Sequence, residues 1–306
     1  MKKSMKRMVT VCAAAMLAAV SLTACGGQKG AEQTKAADGA AAAGDAVDAG
    51  NQAESSEKKV LRVAMECSYA PYNWTQPTDA NGALPIADSP DFAYGYDVMM
   101  AKKIADELGY ELQIVKLDWD SLVPAVQSGK VDCVIAGQSI TADRLQSVDF
   151  TEPYYYATIV TLVKAGGKYE NAKSVADLTG ATCTSQLNTI WYDNCLPQIP
   201  DATIQPAQES APAMLVALNS GRCDIVVTDK PTGQAALIAY PDFRLLDFTG
   251  EEGEFEVSDE DINIGISLKK GNTELKEAID SVLTKMTEDD FNKMMEEAIS
   301  VQPLSQ

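Results

Sequence analysis

One thirteen-residue pattern occurs twice in this chain at a constant offset of 92 residues: AVQSGKVDCVIAG at 125–137 and ALNSGRCDIVVTD at 217–229. Ala, Ser, Gly, Asp and Val coincide, and most other pairs are chemically similar. Each copy reads as a helix end, a Gly stop and a buried strand that begins at Asp132 or Asp224. The alternative is that the same helix–Gly–strand grammar arose twice; both readings call for two α/β lobes. The chain around the first copy keeps the same alternation. Residues 60–65 (VLRVAM) predict a strand, and Val98, Ala101, Ala105 and Leu108 fall at helical spacing before Gly109. Residues 111–117 predict a second strand, 120–128 a short helix with Pro124 in its early turns, and 131–136 a third strand. Such alternation implies βαβ units, so each lobe is expected to be a mainly parallel sheet flanked by helices. Open α/β sheets take ligands at the carboxyl ends of their strands. Those ends are Gly137 and Asp229, and a ligand between the lobes would touch both.

Composition narrows the chemistry. The 306 residues hold 25 Lys+Arg, 44 Asp+Glu and no His, a formal charge of −19. Without histidine there is no Ser-His-Asp triad, no Cys-His pair, no His-ligated zinc and no imidazole switch. The acidic balance argues against nucleic acid, because phosphate neutralisation needs a basic face. No metal, cofactor or catalytic residue is expected.

The N-terminus reads as an address. Lys2, Lys3, Lys6 and Arg7 form a basic region, and Val9 to Val20 is an apolar run too short for a stable span. Leu22-Thr23-Ala24-Cys25 follows, which resembles the bacterial lipoprotein signal; an ordinary secretory signal with an incidental Cys is the alternative. The resemblance implies a signal peptide at 1–24 and lipidation of Cys25. Removal of the signal leaves 282 residues and a charge of −23. Ten Ala and six Gly among the 32 residues of 26–57, with no aromatic residue, predict a disordered tether over 25–57. The folded part is expected outside the cytoplasm, held at the cell membrane. Cys67, Cys133, Cys183, Cys195 and Cys223 remain in it, an odd number with no CxxC. Buried reduced thiols are expected, with at most one pair, Cys183–Cys195 being nearest in sequence.

Tyr154-Tyr155-Tyr156 followed by ATIVTLV reads as an extended crossing out of the first lobe. Residues 251–261 hold seven acids in eleven positions and read as an exposed loop. A strand over 262–268 and amphipathic helices over 273–299 follow. The ordered motifs are Tyr69-Ala-Pro-Tyr72, Gly95-Tyr-Asp97, Asp118-Trp-Asp120, Gly137-Gln-Ser139-Ile-Thr141-Ala-Asp-Arg144 and Val148-Asp-Phe-Thr-Glu-Pro-Tyr154. In that order they resemble the polar amino acid family of extracellular solute-binding proteins, which deliver substrate to ABC importers. The resemblance implies two α/β lobes of the type II periplasmic-binding-protein-like fold, joined by two crossing segments. It places lobe one at 58–155 plus 260–306 and lobe two at 156–259.

The same resemblance assigns roles. Arg144 would bind the ligand α-carboxylate, for which a guanidinium offers a planar, permanently charged fork; the alternative is an ion pair with Asp143 or Asp149. Ser139 and the Gly137 backbone would hydrogen-bond the carboxylate and ammonium. Asp229 would accept the ammonium, while Asp224 ties the start of its strand. Asn188 and Thr189 would open a lobe-two helix and donate to the carboxylate. Here the chain departs from the family, which usually has Gly where Leu187 stands; Gln186 and Trp191 are also unusual neighbours. Tyr69 and Trp119 would wall the ligand side chain, core packing being the alternative. Glu66 matches an acidic position that in some members faces that side chain; otherwise it orients Tyr69 or pairs with Arg62. Trp74 and Tyr94, in a long 73–94 segment, are candidates to shape the pocket mouth. The expected function is capture of a free amino acid of the polar or charged class, by a monomer, for an ABC transporter permease. The alternatives are a cyclohexadienyl dehydratase-like enzyme on the same scaffold and a ligand-sensing module for a membrane receptor.

Overall fold

The computed structural model describes residues 58–303, all within one compact unit. The expected signal peptide, Cys25 and the tether lie outside the described residues.

Two five-stranded sheets carry the fold, and their strand orders match. The first runs Glu111–Lys116, Val60–Met65, Cys133–Val134, Ser267–Lys269, Val148–Phe150. The second runs Thr203–Ile204, Thr182–Thr184, Ile225–Asp229, Ile159–Lys164, Phe243–Asp247. In each, the fourth strand runs antiparallel to its two neighbours, and the other four strands run parallel to one another. The sheets thus take the expected mainly parallel form, each with one reversed strand. Chain direction explains this: Ser267–Lys269 arrives from the second sheet, and Ile159–Lys164 from the first. The repeated pattern has a structural counterpart, because Cys133–Val134 and Ile225–Asp229 both hold the middle place of their sheets.

The predicted elements form where the apolar spacing put them. The helix at Tyr96–Leu108 buries Val98, Ala101 and Ala105, and closes at Gly109. The helix Trp119–Ser128 contains Pro124. The third strand is shorter than expected, since only Cys133–Val134 pairs although 131–136 is buried apart from Asp132. Thr273–Leu283 and Glu288–Val301 are helices, the second opened by a capping box between Thr287 and Asp290. Val63, Ala64, Met65, Ile135, Val226 and Val227 are fully buried. Burying a side chain of Val or Met size contributes about 1.5–3 kcal/mol.

The chain passes between the sheets at 155–156 and returns at 263–264. The two passages pair antiparallel, Asn263 opposite Tyr156 and Ile264 opposite Tyr155. Segment 73–94 forms part of a small separate sheet, in which Trp74 and Tyr94 are buried against each other with ring centroids 5.5 Å apart. Neither ring is among the residues lining the pocket described below. In the acidic loop Phe255 is buried, while Glu251, Glu252, Glu254 and Glu256 are exposed, so one aromatic residue anchors an otherwise solvated segment. All five described cysteines are free and buried. Asp224 accepts from Thr182 N at 2.9 Å, which ties the start of its strand as expected.

Candidate functional site

The carboxyl ends of the central strands of both sheets face one cleft. Tyr69, Trp119, Gly137, Ser139 and Arg144 line it from one side, and Gln186, Thr189 and Trp191 from the other. The enclosed space is about 10 Å³, near the room of one water molecule. Larger grooves exist, such as one of about 280 Å³ between Trp74, Leu215, Tyr240 and Pro303, but its lining carries no ionisable charge suited to an ion. A groove of about 360 Å³ does carry Lys103, Glu107, Lys285, Asp290 and Lys293, but most of these are exposed, so it is the burial of the charged groups, not size, that locates the site.

Arg144 lies in the short helix Ala142–Ser147, whose N-cap is Thr141. Its guanidinium donates to Ser139 O and to Asn188 O, both at 2.8 Å. It lies 5.4 Å from the Trp119 ring centroid, a cation–π distance. Burial lowers its pKa to about 10, with Asp193 pulling the other way, so it stays a cation at neutral pH. It makes no ion pair with Asp149, which is held by Lys270, and Asp143 receives Gln146 instead. Two of its five N–H donors go to carbonyls; the fork keeps further capacity for an anion.

Asp229 ends the central strand of the second sheet and caps the helix Lys230–Ala239, its Oδ1 accepting from Thr232 N at 2.8 Å. Its Oδ2 accepts from the Tyr69 hydroxyl at 2.5 Å. Asp229 is 2% exposed, and burial raises its pKa. Tyr69 also stacks on Tyr72, with centroids 4.7 Å apart. It is thus both a wall and a bond between the two sides. Gly137 has φ 62, and a Cβ there would stand 2.8 Å from the Tyr69 ring, so only glycine lets this backbone meet the aromatic wall.

Three further bonds cross the cleft. Trp119 Nε1 donates to Leu187 O at 3.1 Å, Arg144 reaches Asn188 O, and Asn188 Nδ2 donates to Asp120 Oδ1 at 2.7 Å. Asn188 adopts φ 54, a left-handed turn that Asn tolerates better than most residues. Its side chain points to Asp120 and is exposed. The Thr189 hydroxyl donates back to Gln186 O at 2.7 Å, so it shapes the turn while lining the pocket. The helix expected to open here is a single wide turn, Trp191–Cys195.

Glu66 directly follows Val60–Met65, the second strand of the first sheet, and is 5% exposed. Burial raises its pKa to about 7; the Gln186 carboxamide opposes the rise, and Asp118 and Asp120 add to it. Glu66 Oε2 and Gln186 Nε2 each lack a well-formed hydrogen bond among the described residues. Glu66 does not pair with Arg62, which instead grips Asp132 at 2.7 Å. Nor does it bond Tyr69, whose hydroxyl goes to Asp229.

Of the expected ligand residues, Tyr69, Trp119, Gly137, Ser139, Arg144 and Thr189 line the pocket, Asn188 and Asp229 bond across the cleft, and Glu66 lies buried beside Gln186 without lining it. Gln186 and Trp191 were noticed only as departures from a pattern, yet both line the pocket. The signal that could have found them is position: Gln186 follows the second strand of its sheet much as Glu66 does, two residues beyond Thr184.

The profile of bacterial extracellular solute-binding proteins, family 3, matches residues 61–299. The chain is 29% identical to a probable histidine-binding protein of Neisseria gonorrhoeae, over 91% of this chain and 90% of the other. Its fold superposes with TM-score 0.65 on an amino acid ABC transporter substrate-binding protein of Streptococcus pneumoniae bound to L-arginine, at 27% identity, covering 79% of this chain and 94% of that one. It also superposes with TM-score 0.63 on an ancestral amino acid-binding protein described as a precursor of cyclohexadienyl dehydratase, at 30% identity, covering 78% and 95%. The fold is the two-lobed, type II periplasmic-binding-protein-like one, and the chain belongs to the bacterial extracellular solute-binding proteins, family 3.

Proposed function

We propose that the chain is the substrate-binding component of an amino acid ABC importer and holds a free amino acid between its lobes by pairing both backbone charges, without chemistry. The observation that carries this reading is that Arg144 lines a cleft built from both sheets, while Asp229 is bonded to Tyr69, which lines the same cleft. A zwitterion buried there leaves neither charge alone: the Arg144 fork takes the carboxylate and Asp229 the ammonium. Ser139, Gly137, Asn188 and Thr189 supply polar contacts around the carboxylate, and Tyr69, Trp119 and Trp191 wall the side chain. An amino acid enters only when the lobes part, since the closed cleft holds about 10 Å³. The paired passages at 155–156 and 263–264 are suited to that hinge. We place lobe one at 58–155 plus 260–306 and lobe two at 156–259.

Cationic side chains fit best within the polar or charged class. Glu66 is buried next to Gln186, which lines the pocket, and feels the charges of Asp118 and Asp120. The relatives named for histidine and arginine agree with this class. A thermal-shift screen of the twenty amino acids tests it: binding to the folded state alone raises the melting temperature. Arginine, lysine or histidine should give the largest rise; a response confined to acidic or apolar amino acids would contradict the assignment.

The permease is the partner, and Cys25 carries the lipid that keeps the monomer at the outer side of the cell membrane. Cys25→Ala should move the protein from the membrane fraction to the medium. One observation favours a dehydratase instead: Glu66, with its pKa raised to about 7, would suit a general acid, and one structural relative precedes such an enzyme. Product formation from prephenate or arogenate would establish that reading; saturable binding without turnover supports transport.

A further inference from the structure

Asp97 is fully buried near the start of the helix Tyr96–Leu108, and no described cation pairs with it. Burying a carboxylate without partners costs several kcal/mol, so its oxygens need donors. Two neutral donors meet them. The Tyr154 hydroxyl donates to Oδ1 and Asn73 Nδ2 to Oδ2, both at 2.7 Å.

Each donor makes a second bond that leads to the cleft. The Tyr154 hydroxyl accepts from Gly137 N at 3.0 Å, and Asn73 Oδ1 accepts from Cys67 N at 2.7 Å. Gly137 lines the pocket, and Cys67 lies between Glu66 and Tyr69. Both bonded residues are left-handed, Gly137 at φ 62 and Cys67 at φ 53. A non-glycine residue such as Cys67 is strained in that region and persists where its surroundings hold it. Tyr154 N also donates to Ile264 O at 2.8 Å, and the Tyr96 hydroxyl donates to Tyr154 O. The network therefore ends at the paired crossing strands.

We propose that Asp97 is a positioning residue for ligand capture: through Asn73 and Tyr154 its carboxylate holds both left-handed turns of the first-lobe wall, at Cys67 and Gly137. The proposal rests on the reading of this cleft as the amino acid site. Donor direction explains why a carboxylate is required. Asn73 has spent its carbonyl on Cys67 N, so it can only donate to residue 97. Tyr154 accepts from Gly137 N, so its O–H must also be received. Residue 97 must accept twice, and a carboxamide has one acceptor and one donor group. Asp97→Asn breaks one of the two bonds in either orientation. Adding Asn73→Asp repairs it: the new carboxylate at 73 accepts from Cys67 N and from the new amide at 97, whose oxygen accepts from Tyr154.

The test compares wild type, Asp97→Asn, Tyr154→Phe and the Asn73→Asp/Asp97→Asn pair at pH 8. The amides of Cys67 and Gly137 are followed by NMR shift and hydrogen exchange, and L-arginine is titrated into each variant. Asp97→Asn should perturb at least one amide, raise its exchange rate by more than tenfold and weaken L-arginine binding by more than tenfold. The exchanged pair should return affinity to within about threefold of wild type. Thr151→Val, which removes the hydroxyl that accepts a buried bond from Ile266 N outside the pocket lining, should lower the melting point without changing affinity. If Asp97→Asn does not fold, Tyr154→Phe decides alone, because it cuts only the Asp97–Gly137 link. Unchanged Cys67 and Gly137 amides, or unchanged affinity in folded variants, would overturn the proposal. Failure of wild type to bind L-arginine would instead count against the cationic reading, and the amide measurements would still decide the role of Asp97.

Discussion

The two walls of the cleft are built by different means. On the first wall, side chains hold the backbone: Asp97, Asn73 and Tyr154 bond the main chain at Cys67 and Gly137, and stacked tyrosines support Tyr69. On the second wall, much of the work is done by main chain. Leu187 N donates to Gln208 O, and Gln208 N to Ser185 O, both at 2.9 Å. The Leu187 carbonyl then receives Trp119, and the Asn188 carbonyl receives Arg144. A wall held by side chains restricts residue identity; one held by backbone tolerates change, as Leu187 in place of the usual Gly illustrates.

The largest effects should fall on the charges that each wall contributes. Among the described residues Arg144 is the one cation lining the pocket; Arg144→Ala removes it, and truncating one partner of a buried charge pair costs about 2–5 kcal/mol. Titration calorimetry should show affinity lost by well over tenfold. Intact folding with unchanged binding would remove Arg144 from the site. Asp229→Asn tests the opposite wall more gently. Asn also caps helices, so the bond to Thr232 N can persist while the charge is lost. Affinity should fall about tenfold, for a loss near 1.4 kcal/mol, with little change in melting point.

The pH response sharpens the contrast further. Glu66 and Asp97 are each raised to about 7 by burial, and Asp229 is raised as well. Their folded pKa values exceed those of the unfolded chain, so the folded state retains protons that the unfolded state releases. Between their unfolded values and pH 7, stability from these groups therefore falls as pH rises. Melting without ligand should show it, with a shallower slope in Glu66→Gln. A cationic amino acid should reverse the trend at this site, binding more tightly at pH 8 than at pH 6, because Glu66 is then charged. The smallest effect should come from Leu187→Gly. Both Leu187 bonds are made by its main chain, so affinity should stay within about threefold. A large loss there would break the comparison of the walls.

Much of this was readable in the residues. The repeated helix–Gly–strand pattern anticipated two α/β lobes, and its two strands take the middle place of their sheets, with Gly137 just beyond one and Asp229 at the end of the other. Local periodicity sufficed for helices such as Tyr96–Leu108, whose apolar face repeats every three to four residues. The reversed direction of the fourth strands was not readable, because their partners lie more than sixty residues away in sequence: Ile159–Lys164 meets Ile225–Asp229, and Ser267–Lys269 meets Cys133–Val134. The role of Tyr69 as a bond to Asp229 was equally hidden, since 160 positions separate them. Gln186 and Trp191 became site residues only when the turn at Asn188 aimed them inward. Glu66 kept several readings until Arg62 proved to be engaged with Asp132.

The central claim is that this cleft pairs both charges of an amino acid, one on each wall. A crystal structure with the amino acid that most raises the melting temperature tests it most directly. The account predicts the α-carboxylate within hydrogen-bond distance of the Arg144 guanidinium and the ammonium against Asp229. A ligand bound outside this cleft, or bound within it with the carboxylate away from Arg144, would contradict the account.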